Sequence, residues 1–464
     1  MPQDATHSEP RAHTTSWLDI EPDIHQPPMS DSMRPLHWLL NLSAVLQASG
    51  SAIAREPAPG REPLPPSQDP WYRAPRGFES KRPGEVLRLR TAPGNLTSVV
   101  GNTSAAYHIL YRTTNSRGQP SWAVTTLFIP TSFYFSPSGK GALLSYQLAY
   151  NTANLDSSPS IGLYWRMAQR EPNLGLKSNT DLLNEMLSRG WIVNTPDHLG
   201  PDAAFGASVQ GGHATLDAVR AILNLAHLTG NPDMKVNTVL WGYSGGSIAT
   251  LAAIELQTKY APELRIAGTT LGGVVDDISA AMDNINKSPI AGSLPALLLG
   301  ITAQYPDARK YLESRLVPET RDEFMSVLDL NVADAVRDFA RKDIYTYLKG
   351  GAADLQAPIL QKLFNEQAKL GHKGIPTMPL FVYKAIQDQF SPIEDTDKTA
   401  KRFCEAGVKI NYERNTVGEH VSEIENGKPR AFRWIRRIFD ESYEPPEWGC
   451  SIRNVTVKVP AERS

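Results

Sequence analysis

The 464-residue chain has only two cysteines, Cys404 and Cys450. That excludes a disulfide framework as the basis of the fold and leaves too few thiols for a four-cysteine zinc site. It also has no basic excess: 47 Lys and Arg stand against 49 Asp and Glu, a formal charge of -2. Nothing is left over to neutralise phosphates, so nucleic acid is excluded as the expected partner. No internal repeat suggests a solenoid, and no HExxH or acidic metal-binding loop is present, so no metal and no cofactor is expected. With 41% hydrophobic and 21% charged residues, the chain fits neither global disorder nor a multi-span membrane protein. Its 36 prolines slightly outnumber its 33 glycines, which points to a loop-rich chain rather than a helical bundle.

Residues 1–32 are polar, proline-bearing and unpatterned, and read as a disordered extension or as sequence upstream of a true start at Met29 or Met33. Residues 33–54 have one basic residue, an apolar run from Leu36 to Leu46 and a small-residue ending at Ala52-Ile53-Ala54. This is the layout of a secretory signal peptide, and it suits cleavage better than a short buried helix. Export would make Asn95, Asn102, Asn286 and Asn454, each in an N-x-S/T triplet, glycan acceptors. It would also favour pairing of Cys404 with Cys450 over two free thiols, stabilising the fold by about 3 to 5 kcal/mol in the chain-entropy picture.

From residue 55 a proline-rich arm runs to about residue 84. A hairpin follows, with Tyr107 to Thr114 and Trp122 to Ile129 alternating around Asn115-Ser116-Arg117-Gly118. Short apolar runs then alternate with helical patterns: Ala142 to Ser145, Trp191 to Asn194, Thr238 to Trp241, Gly268 to Leu271, Leu380 to Lys384 and Val408 to Tyr412. Strand and helix in repetition predict an α/β fold, a mostly parallel sheet flanked by helices. The rhythm stops across 277–377, where helical patterns such as Glu319 to Phe339 carry no strand. This predicts a helical cap between two core segments, 55–276 and 378–464, with Leu294 to Leu299 lining an acyl channel.

Chemistry concentrates at Trp241-Gly242-Tyr243-Ser244-Gly245-Gly246. A strand running into G-x-S-x-G and then a helix lifts the serine on a sharp turn, and glycines two residues either side prevent collisions. The following amide, that of Gly245, points to where charge would develop on a carbonyl oxygen. In α/β-hydrolases the acid and histidine follow the serine, and only His372 and His420 do so here. His420, just after a strand, is the stronger candidate. Asp388, ending the run from Met378, is the expected acid; Asp276 and Asp277 are rivals, as is Asp395, which resembles a helix N-cap. His198 and His213 read as structural, the latter opening a helix. Arg430, Arg433, Arg436 and Arg437 read as the solvated face of a helix whose Ala431, Trp434, Ile435 and Ile438 face inward.

These motifs, together with SYQLAYNTAN from Ser145, NTPDHLGPDAAF from Asn194, GGHATLDAVRA from Gly211, IQDQFSP from Ile386 and GEHVSE from Gly418, resemble the fungal secretory lipase family, typified by lipase A of Candida antarctica. The resemblance runs from about Pro70 to Trp448. It implies an α/β-hydrolase fold, a triad of Ser244, Asp388 and His420, and an oxyanion hole from the amides of Gly245 and Asn151. This chain has Asn151 where many relatives have aspartate, and Ser157 where relatives often have cysteine, so one of two family disulfides is missing. The expected activity is a secreted serine ester hydrolase acting through an acyl-enzyme on acylglycerols or similar hydrophobic esters, with a lipid–water interface as a partner surface. Because the family also contains trichothecene deacetylases, an esterase of an acetylated fungal metabolite is the alternative. A non-catalytic binding protein is a further one. A monomer is the default assembly.

Overall fold

A computed structural model describes residues 63–94, 96–164, 176–228 and 235–459. The expected leader, the extension before it and the Asn95 sequon lie outside the described residues. Within them, ten strands form one sheet: β1 (Val86–Thr91), β2 (Thr103–Thr114), β3 (Pro120–Pro130), β4 (Gly141–Gln147), β5 (Ile192–Pro196), β6 (Val236–Tyr243), β7 (Ile266–Gly272), β8 (Leu380–Ala385), β9 (Ile410–Asn415) and β10 (Cys450–Val455). Their order is β1-β2-β3-β5-β4-β6-β7-β8-β9-β10. The β1-β2-β3 pairings and β3-β5 are antiparallel, and every pairing from β5 through β4 to β10 is parallel.

Helices cover both faces, so the central strands are apolar throughout rather than alternating: β4, β5 and β8 are buried at every position. Successive residues of β6 serve opposite layers, Leu240 joining one core and Val239 and Trp241 the other, as the two-residue period of a strand requires. Numbering helices of eight residues or more among the described residues, α1 is Leu176–Ser188, α2 Ser208–Leu228 and α3 Gly245–Tyr260. Helices α2 and α3 pack on each other. After β7 come α4 (Ile278–Ile285), α5 (Ser293–Thr302), α6 (Pro306–Arg315), α7 (Val332–Phe339) and α8 (Pro358–Gln367); after β8 and β9 come α9 (Ile393–Glu405) and α10 (Ser422–Phe439). Helix α10 backs β6, β7 and β8, inserting Trp434, Ile435 and Ile438 into the second core.

Residues between β7 and β8 hold helices and no strand longer than an isolated bridge. The stretch from Glu319 to Phe339 is not one helix: 3-10 turns Pro318–Thr320 and Ser326–Leu328 flank a short helix Arg321–Met325, and Asn331 restarts the chain as the N-cap of α7. All ten residues of α5 are buried, so it is the centre of this helical layer and reaches the cavity below only through Ser293 and Leu297.

Several expectations need correction. His213 does not open a helix; it lies inside α2. Strands β1 and β10 were not anticipated. Arg430 is buried, 7% exposed, and donates to Glu413 at 2.8 Å and to Glu423, whereas Arg433, Arg436 and Arg437 are exposed. One turn of helix separates a solvated guanidinium from a paired buried one, and the carboxylates on β9 and α10 decide which it is. Cys404 and Cys450 form a disulfide joining the end of α9 to the start of β10.

Candidate active site

The chain reverses its direction of growth at β4, which lies between β5 and β6. In an open parallel sheet this reversal leaves a crevice at the carboxyl ends of the strands. Four loops meet there: the turn after β4 with Asn151, the elbow after β6 with Ser244, the loop after β8 with Asp388 and the loop after β9 with His420.

The elbow is sterically locked. Ser244 has φ 52° and ψ -124°, a conformation costly for a residue with a Cβ. Its amide donates to Gly272 O at 3.0 Å, and its carbonyl accepts from the Ser247 amide and hydroxyl at 2.8 and 2.6 Å. A Cβ on Gly242 would stand 2.4 Å from Gly246 O, and one on Gly246 would stand 1.9 Å from Gln147 O. Both glycines are therefore required by close backbone approach, as the motif implies.

Ser244 Oγ lies 2.7 Å from His420 Nε2, and His420 Nδ1 lies 2.7 Å from Asp388 Oδ2. The other Asp388 oxygen accepts from the Phe390 and Ser391 amides at 3.1 and 3.0 Å. The His420 backbone is held twice: its amide donates to Gln389 Oε1 at 3.0 Å and its carbonyl accepts from Tyr243 Oη at 2.6 Å. Burial alone would push the Asp388 carboxyl up, but the His420 hydrogen bond and charge, the Lys384 ammonium and the Ser391 amide hold it below the usual carboxylate range. An ionised acid fixed on an imidazole, itself on a serine hydroxyl, is the arrangement needed to make that hydroxyl a nucleophile.

The rival residues are placed elsewhere. Asp276 is buried and accepts from Thr396 Oγ1 at 3.3 Å; Asp277 caps α4 through the Ala280 amide. Asp395 is not the cap of α9, a position taken by Pro392, but sits in its first turn and pairs with Lys398. His372 is exposed beside Arg402. His198 and His213 are pushed down to about 4 chiefly by burial, and His213 stacks on Tyr260 at 3.9 Å. Among the described residues no cluster of His, Cys, Asp and Glu could hold a metal, and no helix is long and apolar enough to cross a membrane.

Ser244, Gly245, Asn151 and His420 open on a cavity of about 410 Å³, within the range of small-molecule sites. Asn151 has φ 34°, and its side chain lies so close to Gly245 that a Cβ there would meet Asn151 Oδ1 at 1.8 Å. One wall is apolar and comes from the insertion: Ile278 and Ile285 of α4, Ile290, Leu297 of α5 and Val336 of α7. Leu297 is the one leucine of the Leu294–Leu299 run that reaches the cavity. The lining also carries polar groups, Asn179 of α1 and Glu425 and Lys428 of α10, the last two 2.6 Å apart, beside the apolar Leu182 and Ile424 of the same helices. Sequence reasoning missed these polar groups because they lie on two helices far apart in the chain. The i, i+3 spacing of an acid and a base beyond His420 was their one legible trace.

The fold and the site define an α/β-hydrolase, and the chain belongs to the secretory lipase family, which matches residues 171–444. It is 60% identical over 430 residues, 93% of this chain and 88% of the relative, to a probable trichothecene esterase, SAT6, of Stachybotrys chartarum. It is 41% identical over 418 residues, 87% of this chain and 91% of the relative, to the trichothecene C-3 esterase of Fusarium sporotrichioides. The X-ray structure of Candida antarctica lipase A shares the fold with a TM-score of 0.76 at 24% identity, covering 86% of this chain and 91% of that one. The protein is a carboxylic ester hydrolase.

Proposed function

We propose that this enzyme cleaves an ester of a trichothecene-type alcohol, a rigid polycyclic molecule with several oxygen substituents. Ser244 is the nucleophile: Oγ attacks the ester carbonyl carbon while His420 Nε2 takes its proton, and Asp388 steadies the resulting imidazolium. The amides of Gly245 and Asn151 bind the oxyanion. Collapse breaks the bond to the alcohol, which leaves with the proton from His420. Water, deprotonated by the same imidazole, then attacks the acyl-enzyme and releases the acid. Every proton transfer is served by these side chains, so the reading needs no metal or organic cofactor.

The observation that carries the substrate assignment is the mixed lining of the cavity, largely apolar but with polar groups at Asn179, Glu425 and Lys428. Hydroxyls on the alcohol half would exchange hydrogen bonds with those polar groups, and a triacylglycerol has no donor to offer them. The similarity to two trichothecene esterases supports the same choice. A second reading, hydrolysis of acylglycerols, is favoured by the apolar wall of Ile278, Ile285, Leu297 and Val336, which suits an acyl chain. In this reading residues 277–377 act as a cap over either substrate. The test is purified enzyme on an acetylated trichothecene and, in parallel, on emulsified long-chain triglyceride, with Ser244→Ala as control. Activity confined to triglyceride would overturn the trichothecene assignment, and activity retained by Ser244→Ala would overturn the nucleophile.

Secretion through the 33–54 leader completes the proposal. Asn454 is exposed and suits glycan attachment; Asn102 is exposed as well, but its amide donates to Asn184 Oδ1 at 2.7 Å. Asn286 does not, because its amide donates to Asp343 at 2.8 Å and its carbonyl accepts from the Ile344 amide at 2.7 Å.

A further inference from the structure

Lys384, on β8, is completely buried, a rare state for an ammonium and a costly one unless every proton finds a partner. Its Nζ donates to Val274 O at 2.6 Å, to Ser391 Oγ and Thr396 Oγ1 at 3.1 Å each, and approaches Pro392 O at 3.4 Å. These oxygens belong to three segments: the loop leaving β7, the loop that carries the acid, and the first turn of α9. Ser391 is tied in again, its hydroxyl donating to Val274 O at 3.0 Å and its amide to Asp388 Oδ1 at 3.0 Å. The ammonium itself stands 3.9 Å from Asp388 Oδ2, the oxygen that faces His420, with neither side chain exposed. A hydrophobic residue would fill this strand position without desolvation cost, so the charge requires a reason.

We propose that Lys384 is a positioning residue for the triad: it fixes the acid loop against β7 and α9 and holds its positive charge against the Asp388–His420 pair. The charged groups facing this ammonium are Asp388 on the acid loop, Asp276 after β7, and Asp395 and Asp397 on α9, with the imidazole of His420 on the far side of Asp388. Burial pulls the lysine towards its neutral form, and these four carboxylates oppose it. A positive charge beside the Asp388–His420 pair disfavours adding a proton to either member. Its removal therefore raises the proton affinity of both, and the acid limb of the rate profile moves to higher pH.

The test is the pH dependence of kcat/KM on p-nitrophenyl acetate for the full chain, the Lys384→Met and Lys384→Gln variants, and Asp276→Asn. The acid limb of kcat/KM reports the free-enzyme base. In both neutral variants it should shift upward by roughly half to one pH unit, with kcat down about tenfold or more. In the isosteric Asp276→Asn variant, where a competing carboxylate is gone, the limb should move down. A lysine with a merely structural role would lower the rate without displacing the limb. Coincidence of the limb with that of the wild type in the folded neutral variants overturns the proposal. Should both fail to fold, Asp276→Asn decides, and a limb that stays or rises overturns it. The substrate assignment is not involved, because the probe ester is cleaved on either reading.

Discussion

The phenol of Tyr243 donates to the carbonyl of His420 at 2.6 Å, so the residue immediately before the nucleophile holds the backbone of the base. Serine and histidine are thereby spaced by one short covalent step and one hydrogen bond, independently of the bond between their side chains. Tyr243→Phe keeps the ring and loses this bond. Steady-state kinetics should show kcat reduced about tenfold with KM little changed, and thermal unfolding should show a loss of about 1 kcal/mol, the usual worth of a buried neutral hydrogen bond. An unchanged kcat would mean that the His420 loop is held by Gln389 alone.

Asp388 differs from its neighbours in the sequence by what it touches. Asp388→Asn should lower kcat by about 10⁴-fold, because an amide fixes the wrong tautomer of His420. Asp276→Asn and Asp277→Asn should each retain most of the activity at neutral pH. Rate measurements giving the reverse ranking would remove Asp388 from the triad.

The polar lining predicts a selectivity change. Asn179→Leu should lower the ratio of kcat/KM for a hydroxylated trichothecene ester to that for p-nitrophenyl acetate by about tenfold, the roughly 1 to 1.5 kcal/mol of one hydrogen bond, and Glu425→Leu by less, because Glu425 is exposed. A ratio that does not move would show that the alcohol half binds elsewhere.

Stability should fall with rising pH for a reason remote from catalysis. Asp197 is buried and raised to about 7 by burial, against hydrogen bonds from the Ser160 amide and hydroxyl; Glu255 is raised to about 7 by burial in the same way. An acid whose folded pKa exceeds its unfolded one stabilises the fold below the unfolded value and loses that contribution as pH rises through the folded value. The loss therefore falls between about pH 4 and 7 for each group, on the order of 3–4 kcal/mol. In Asp197→Asn the amide can donate to Ser160 Oγ, which can donate to Tyr72. Thermal unfolding should place this variant above the wild type at pH 8 and not above it at pH 5; a parallel displacement at both would exclude Asp197 as the titrating group.

The three residues proposed as the triad were readable because order along the chain does most of the selection. After Ser244 there are two histidines, and only His420 follows directly on a strand. Strands β4, β5 and β8 were readable as continuous apolar runs. Strand β10 was not, because Ser451, Arg453 and Asn454 are those of an exposed edge whose pairing is set by β9 and the disulfide. Lys384 and Arg430 were misread or overlooked for a shared physical reason: a basic residue is assigned to solvent by default, and only tertiary structure brings up the carboxylates and carbonyls that let it be buried. The cavity's polar groups escaped for a related reason, since α1 and α10 meet only in the folded chain.

Gly272, the last residue of β7, stands in register with Tyr383 of the adjacent β8. Strands β7 and β8 are parallel neighbours, so residues 273–379 leave the sheet at the carboxyl end of β7 and re-enter it at Leu380, opposite Thr269, three residues towards the other end. A crossover between adjacent strands can be rewritten as a unit provided the layer it packs on the sheet stays apolar, and here α5 and its neighbours belong to the main core. The serine precedes this segment and the acid and histidine follow it, so beyond Val274 and Asp276 at its start the segment supplies cavity lining rather than the proposed triad. The helical segment can therefore vary in what it offers a substrate while the elbow, the acid loop and the histidine loop stay as they are.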